Sequence, residues 1–281
     1  MRIDAHQHFW AIARGDYGWL TPDMPGLYRD FLPPDLQIHL NRHALDGTIL
    51  VQAAPTVAET EFLLALSERT ETVCGVVGWI DLENSTCLQE FERFSRHPKF
   101  VGFRVMIQDM KDPTRILQQG VIARLFEFAD RKVPIDLLVK HHQLPIVLKL
   151  LEKVPHLHGV IDHLGKPPIA SGLVEPWMTE MRNIAQYANL YCKLSGMVTE
   201  ALPDGTIPDQ FIPYAHHVLT VFGTDRVLYG SDWPVCLLAG TYDGVYELAG
   251  AVLPKDLTEE DRTNIFGYNA QTFYRLPRSR E

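Results

Sequence analysis

Two histidines stand one residue apart near the start of the chain, His6 and His8, in the stretch Arg2-Ile3-Asp4-Ala5-His6-Gln7-His8-Phe9-Trp10. The stretch reads as a short strand, and residues i and i+2 of a strand point to the same face. Two imidazoles can therefore converge on one point. Neutral imidazole is both a common metal ligand and a common proton carrier. An H-x-H pair alone arises often by chance, so its meaning depends on later residues. His163 and Asp232 supply matching chemistry far downstream. Three imidazoles and one carboxylate suit a borderline-soft divalent metal such as zinc. They suit metal-free hydrolysis equally well: Asp232 takes a proton from water while a histidine or a cation stabilises the oxyanion.

Such a cluster needs a scaffold that brings distant residues together, and the apolar pattern supplies one. After the first strand, buried-type strands fit 48–52, 73–81, 100–105, 134–139, 157–162, 189–194 and 226–230. Helical spacing fits the intervening segments at about 35–45, 59–69, 85–96, 120–132, 143–153, 176–187 and 209–222, then 242–252 and 259–274. Thr258 followed by three acidic residues caps the last of these. Eight near-continuous apolar strands alternating with helices indicate a parallel sheet buried on both faces. In a chain of 281 residues this predicts a single-domain α/β fold, a (β/α)8 TIM barrel spanning 1–281. An open doubly wound sheet is the rival, but no glycine-rich phosphate-binding motif follows any strand. Residues 11–33 form a long β1–α1 loop insertion, rich in Gly and Pro with Tyr17, Trp19, Tyr28 and Phe31 between them. Loops of that length are often functional.

Barrel active sites lie at the C-terminal strand ends. Those ends carry His6 and His8, Gln52, Trp79 and Asp81, Arg104, Lys140 with His141 and His142, His163 with Lys166, Ser195, and Ser231 with Asp232. A ring of polar residues ending buried strands is the pattern of a site. Asp4 and Asp162 lie within strands and can hydrogen-bond backbone or a histidine. Trp79 and Trp233 serve as core aromatics or as pocket walls.

The formal charge of −9 argues against a nucleic-acid or anionic-membrane surface. The four cysteines are widely spaced and form no C-x-x-C pair, consistent with free thiols in a reducing compartment. Neither a secretory signal nor an apolar run of spanning length is evident, so a soluble, cytoplasmic protein is expected. Composition leaves a homo-oligomer open.

The segments IDAHQHFW at 3–10, GFRVMIQD at 102–109, IDHLGKP at 161–167, KLSGMVTEA at 193–201 and YGSDWPVCLLAGTYD at 229–243 together resemble the amidohydrolase superfamily. The finer likeness is to its branch of sugar lactonases and 2-pyrone-4,6-dicarboxylate lactonases, nearest to those that open L-fuconolactone and related aldonolactones. The resemblance runs from end to end. It implies a (β/α)8 barrel and water attack on a lactone carbonyl. By position, Asp232 would be the general base, and His6, His8 and His163 would bind a metal or polarise the carbonyl. His163 and His8 would join Asp232 in catalysis, and Asp232 would join the three histidines around any metal. Arg104 and Lys166 would hold substrate oxygens, with Gln52, Trp79, Gln108, Ser195 and Trp233 as further pocket candidates. Val105 departs from the family pattern, in which histidine often follows the strand-4 arginine; the change bears on substrate preference. The metal-bridging lysine or glutamate of binuclear members has no counterpart here, so at most one divalent metal, zinc, is expected. Members of this branch that need no metal make metal-free catalysis the alternative. The expected partner is a small sugar lactone, an aldono-1,4- or 1,5-lactone. A pyrone dicarboxylate is the weaker substrate, because Arg104 is the one arginine at a strand end. A metal-dependent decarboxylase on the same barrel shares the H-x-H and the final aspartate.

Overall fold

A computed structural model describes residues 1–202 and 207–277. Eight parallel strands follow in chain order: β1 Ile3–Gln7, β2 Gly47–Val51, β3 Val73–Gly78, β4 Phe100–Met106, β5 Ile135–Leu138, β6 Gly159–Ile161, β7 Leu190–Leu194 and β8 Val227–Tyr229. Each pairs with the next, and the sheet curls into a nearly closed barrel. At the β1–β8 seam a parallel bridge joins Gln7 to Trp233, His8 N–H donates to the Trp233 carbonyl, and Asp232 N–H donates to the His6 carbonyl. Those two bonds place the candidate base beside the histidine pair.

The helices are α1 Pro33–Arg42, α2 Val57–Glu68, α3 Cys87–Ser95, α4 Gln119–Asp130, α5 Leu144–Lys153, α6 Trp177–Ala185, α7 Ile212–Phe222 and α8 Tyr242–Ala251. Each contributes buried apolar residues to one core cluster. In α5 the buried residues are Leu144, Val147, Leu150 and Leu151, the three-to-four spacing of one helix face. β5, β6, β7 and β8 are a little shorter than their expected runs, β3 stops at Gly78 ahead of Trp79, and β4 runs one residue further, to Met106. The expected final helix at 259–274 is three pieces: α9 Glu259–Thr263, a wide π turn Asn264–Tyr268, and α10 Asn269–Phe273. Thr258 caps α9 with reciprocal bonds to Asp261, as its sequence predicted. Gly267 sits in the π turn because a Cβ there would lie 2.1 Å from the Met1 carbonyl oxygen.

Ile3, Ala5, Ile49, Val51, Val77, Val160 and Leu228 form an apolar cluster with Phe273 and Tyr274 from the C-terminal segment. A register shift in β1 between Asp4 and Gln7 changes the phase of the strand above this cluster. Asp4 accepts from Tyr242 on α8, whereas His6 meets Lys193 and Asp162 across the barrel. Among the described residues all four cysteines are free, and no helix is long and apolar enough to cross a membrane.

Candidate active site

β1, β6 and β8 bring His6, His8, His163 and Asp232 together at the strand ends. Asp232 Oδ1 lies 3.4 Å from His8 Nε2, 3.7 Å from His6 Nε2 and 3.8 Å from His163 Nε2. The Nε2 atoms of His6 and His8 are 3.2 Å apart. All four side chains are buried. Asp232 and His163 both take left-handed backbone conformations, φ 56° and 54°, as do Leu164 and Lys166 beside His163. Such strain in non-glycine residues concentrates at functional sites. Two glycines make room for the rings. A Cβ on Gly230 would sit 2.6 Å from His6 Cβ, and one on Gly196 would sit 2.5 Å from His163 Nδ1.

The electrostatics set the Asp232 carboxylate against neutral rings at His6 and His163. Burial, opposed by Asp232 and Asp162, lowers the His163 pKa to about 4. Burial and then Lys193 hold His6 well below the usual imidazole range. Burial works against ionisation of Asp232, but His163, His8 and His6 outweigh it and keep the carboxyl below its ordinary range. Near neutral pH the site therefore sets an ionised carboxylate beside the uncharged rings of His6 and His163. His163 Nδ1 is tied to the Ser195 hydroxyl at 2.9 Å, and His8 Nδ1 to the Val51 carbonyl at 2.8 Å. Both rings are thus oriented from behind.

One layer deeper lies a second polar group. Lys193 Nζ on β7 reaches His6 Nδ1 at 3.0 Å, Asp136 Oδ2 on β5 at 2.5 Å and Asp162 Oδ1 at 3.1 Å. Tyr274 donates to Asp136, and Arg104 Nη1 lies 3.5 Å from Asp162 Oδ2. Lys193, Asp136 and Asp162 are each 0% exposed. Burial opposes the charge of Asp162, but Lys193 and His6 keep its pKa well below the usual range.

A cavity of about 200 Å³ opens above the cluster, lined by His8, His163, Asp232, Arg104, Gln108 and Lys166, with Trp19 and Met24 reaching in from the β1–α1 loop. Arg104 is nearly buried and donates to the Gln52 carbonyl. Lys166 stands at the rim, 3.7 Å from Glu200. Trp79 lines a neighbouring cavity of about 220 Å³ that shares Arg104 but holds none of the four cluster residues. Ser195 acts through His163 and does not line the main cavity. The Gln52 side chain is fully buried, and neither amide atom has a hydrogen-bond partner among the described residues. Trp233 is turned into the core, edge-on to Phe9 and Phe31, because its backbone is committed to the β1–β8 seam. His141 bonds the Lys166 carbonyl and His142 is exposed, so neither joins the cluster.

The spacing also fits one metal ion. Zinc at about 2.0–2.1 Å from each ligand in a tetrahedron requires ligand atoms roughly 3.3 Å apart. The cluster's separations of 3.2, 3.4, 3.7 and 3.8 Å bracket that value. His6, His8 and Asp232 form one three-ligand group within 4.8 Å, and His6, Asp162 and His163 form another.

Sequence reasoning missed Lys193 and Asp136 entirely, and missed Trp19 and Met24 as lining residues. Lysine and aspartate in the middle of otherwise apolar strands were the available signal, since such residues are almost never fully buried unless paired. The aromatic content of the long loop was the signal for Trp19.

A parallel eight-stranded barrel with a histidine–carboxylate centre at its C-terminal mouth defines the metal-dependent hydrolase type of barrel enzyme. The chain belongs to the amidohydrolase family, whose model matches residues 3–276. It is 39% identical to an L-fucono-1,5-lactonase of Burkholderia ambifaria, over 99% of this chain and 96% of that protein. An L-fucono-1,5-lactonase of Burkholderia multivorans is 34% identical over 99% of this chain and 97% of that protein. A crystal structure of a Burkholderia multivorans amidohydrolase with bound zinc superposes with a TM-score of 0.93 at 34% identity, covering 99% of this chain and all of that one.

Proposed function

We propose that this protein hydrolyses a sugar-acid lactone of the L-fucono-1,5-lactone kind to the open aldonate, with Asp232 as general base. The protein is an enzyme, a lactone hydrolase of the amidohydrolase family. The observation that carries the finer reading is the geometry of Asp232: an ionised carboxylate on the cavity floor, ringed by three imidazoles yet hydrogen-bonded to none at ordinary length. Its oxygens remain available to a water molecule. Asp232 takes one proton of that water as the oxygen attacks the lactone carbonyl carbon. The negative charge that gathers on the carbonyl oxygen is met by donors at the site, with Arg104 and Lys166 supplying positive potential. The ring carbon–oxygen bond then breaks, the leaving oxygen collects the proton held by Asp232 to become the new hydroxyl, and the carboxylic acid formed loses the water's second proton to solvent and departs as the carboxylate.

A zinc ion held by His6, His8, His163 and Asp232 would polarise the carbonyl or acidify the water. The cavity mixes Gln108, Arg104 and Lys166 with apolar Met24, Leu138 and Trp19. Neutral and cationic hydrogen-bonders of this sort suit a polyhydroxylated ring carrying a methyl group. Among the described residues Arg104 is the one arginine lining it, which disfavours a dicarboxylate. The test is acid release from a panel of aldono-1,4- and 1,5-lactones, followed by pH-stat with and without zinc. No rate above spontaneous ring opening under either condition would sink the assignment.

A further inference from the structure

We infer that Glu200 sets the charge selectivity of the site: standing against Lys166 at the rim, it reserves the cavity for neutral lactones and favours departure of the anionic product. Glu200 acts through Lys166 and is a specificity residue, not a catalytic one. The inference rests on the lactone reading for what enters and leaves, and on the geometry of the rim for how the charges are set.

The charges of the cavity wall cancel before Glu200 is counted. Among its Lys, Arg, Asp and Glu lining residues, Arg104 and Lys166 face Asp109 and Asp232. Glu200 lies just outside this lining, with Oε1 3.7 Å from Lys166 Nζ, and leaves two formal positive charges against three negative. Arg104 has an acid behind it as well, Asp162, whose Oδ2 lies 3.5 Å from Nη1. No cation of the wall is therefore uncommitted among the described residues.

Both partners of the rim pair are held by their backbones. Lys166 N–H donates to the His163 carbonyl at 2.8 Å, and His141 Nδ1 lies 3.0 Å from the Lys166 carbonyl. Glu200 ends a short turn after β7, where its N–H donates to the Met197 carbonyl at 3.1 Å and the Thr199 hydroxyl donates to the Gly196 carbonyl at 2.9 Å. The Lys166 and Glu200 side chains are 20% and 25% exposed, so water and salt screen the pair only in part.

The separation decides what the pair does. At 3.7 Å the carboxylate offsets the charge of the ammonium but lies beyond hydrogen-bond length. Glu200 thus leaves the ammonium protons to the hydroxyl oxygens of a ligand. A neutral polyhydroxylated lactone loses little by the pairing. A carboxylate must compete with Glu200 for Lys166 and also meets Asp109 and the ionised Asp232. Ring opening turns the first kind of cargo into the second: water is added, a proton leaves to solvent, and the aldonate keeps the negative charge. The pair that admits the substrate then disfavours the product.

The test is calorimetric titration of sodium L-fuconate into the full-length protein at constant ionic strength, beside the KM for L-fucono-1,5-lactone. Glu200→Gln keeps the shape of the side chain and removes its charge. It should bind L-fuconate about fivefold more tightly than wild type, the size of a partly exposed ion pair, while the lactone KM moves less than about twofold. The gain should shrink at high salt and vanish when Lys166→Gln is added. L-fuconate affinity that does not rise in Glu200→Gln overturns the inference, and so does a rise that survives without Lys166. Equal tightening of lactone and L-fuconate overturns it too, since a merely structural change would act on both. L-fuconate that binds neither wild type nor variant counts against it in the same way. A wild type that turns over no lactone sinks the lactonase reading alone; the L-fuconate comparison needs no turnover and still decides the role of Glu200.

Discussion

At the barrel mouth, Asp232 stands 3.4–3.8 Å from three imidazole nitrogens beneath an open cavity. One layer deeper, Asp136 is 0% exposed and receives the Lys193 ammonium at 2.5 Å and the Tyr274 hydroxyl at 2.9 Å. Both carboxylates are buried, and burial pushes both toward the neutral form. The outcomes differ. At Asp232 the surrounding histidines win and the group stays ionised with spare lone pairs. At Asp136 burial wins over Lys193 and the pKa is raised. A buried carboxylate becomes a reactive one when its neighbours stabilise its charge without saturating its oxygens. It becomes a strut when donors fill them.

The sharpest way to break this contrast is Asp232→Asn. Loss of the base should lower kcat on a responsive lactone by about 10³-fold, ~4 kcal/mol, with KM little changed. Steady-state kinetics decide it, and a variant within tenfold of wild type would end the division between the two layers. Asp136→Asn should do the reverse. Leaving Lys193 short of a buried partner should cost about 3 kcal/mol of stability in urea unfolding. If instead it abolishes turnover at unchanged stability, Asp136 belongs to the reactive layer.

Glu59 extends the comparison to a third buried acid. Its carboxylate accepts from Tyr17 and from the Ala53 N–H, tying the β1–α1 loop to the start of α2. Burial, partly offset by these bonds, raises its pKa to about 7 from an ordinary 4.5. The folded state therefore holds this proton more tightly than the unfolded chain. Its contribution is full below about pH 4.5, the ordinary glutamate pKa, and is lost as pH rises through about 7. The melting temperature of wild type should fall by a few degrees relative to Glu59→Gln between these limits, by about 2–4 °C for each kcal/mol in a chain of this size. Parallel curves across that window would show that Glu59 ionises without penalty. The smallest effect expected is at the cavity wall. Trp19→Ala should raise KM about tenfold, ~1.4 kcal/mol, and leave kcat nearly unchanged. A fall in kcat of the same size would mean that the loop orders the reacting groups as well as the substrate.

Much of the barrel was legible because period and composition are local properties. Runs such as Thr48–Val51 and Phe100–Val105 can only be strands buried on two sides, and the helices between them repeat the three-to-four spacing. His6, His8, His163 and Asp232 were legible for the same reason: each ends an apolar run, and a barrel gathers such ends at one mouth. Trp233 shows where that logic fails. It follows Asp232 directly in sequence, yet the β1–β8 seam turns its ring into the core beside Phe31. His141 also sits at a strand end but is spent on the Lys166 carbonyl.

The sequence by itself determined the alternation of strands and helices, and with it the four residues that meet at the mouth. Only the tertiary structure decided what stands behind them. Lys193 and Asp136 lie 57 residues apart, and Lys193 and His6 lie 187 apart. No local pattern marks them as partners. Closure of the barrel removes their water and leaves these groups, with Tyr274 and Asp162, to supply one another's charge and hydrogen bonds, which is why their pairing exists only in the folded chain.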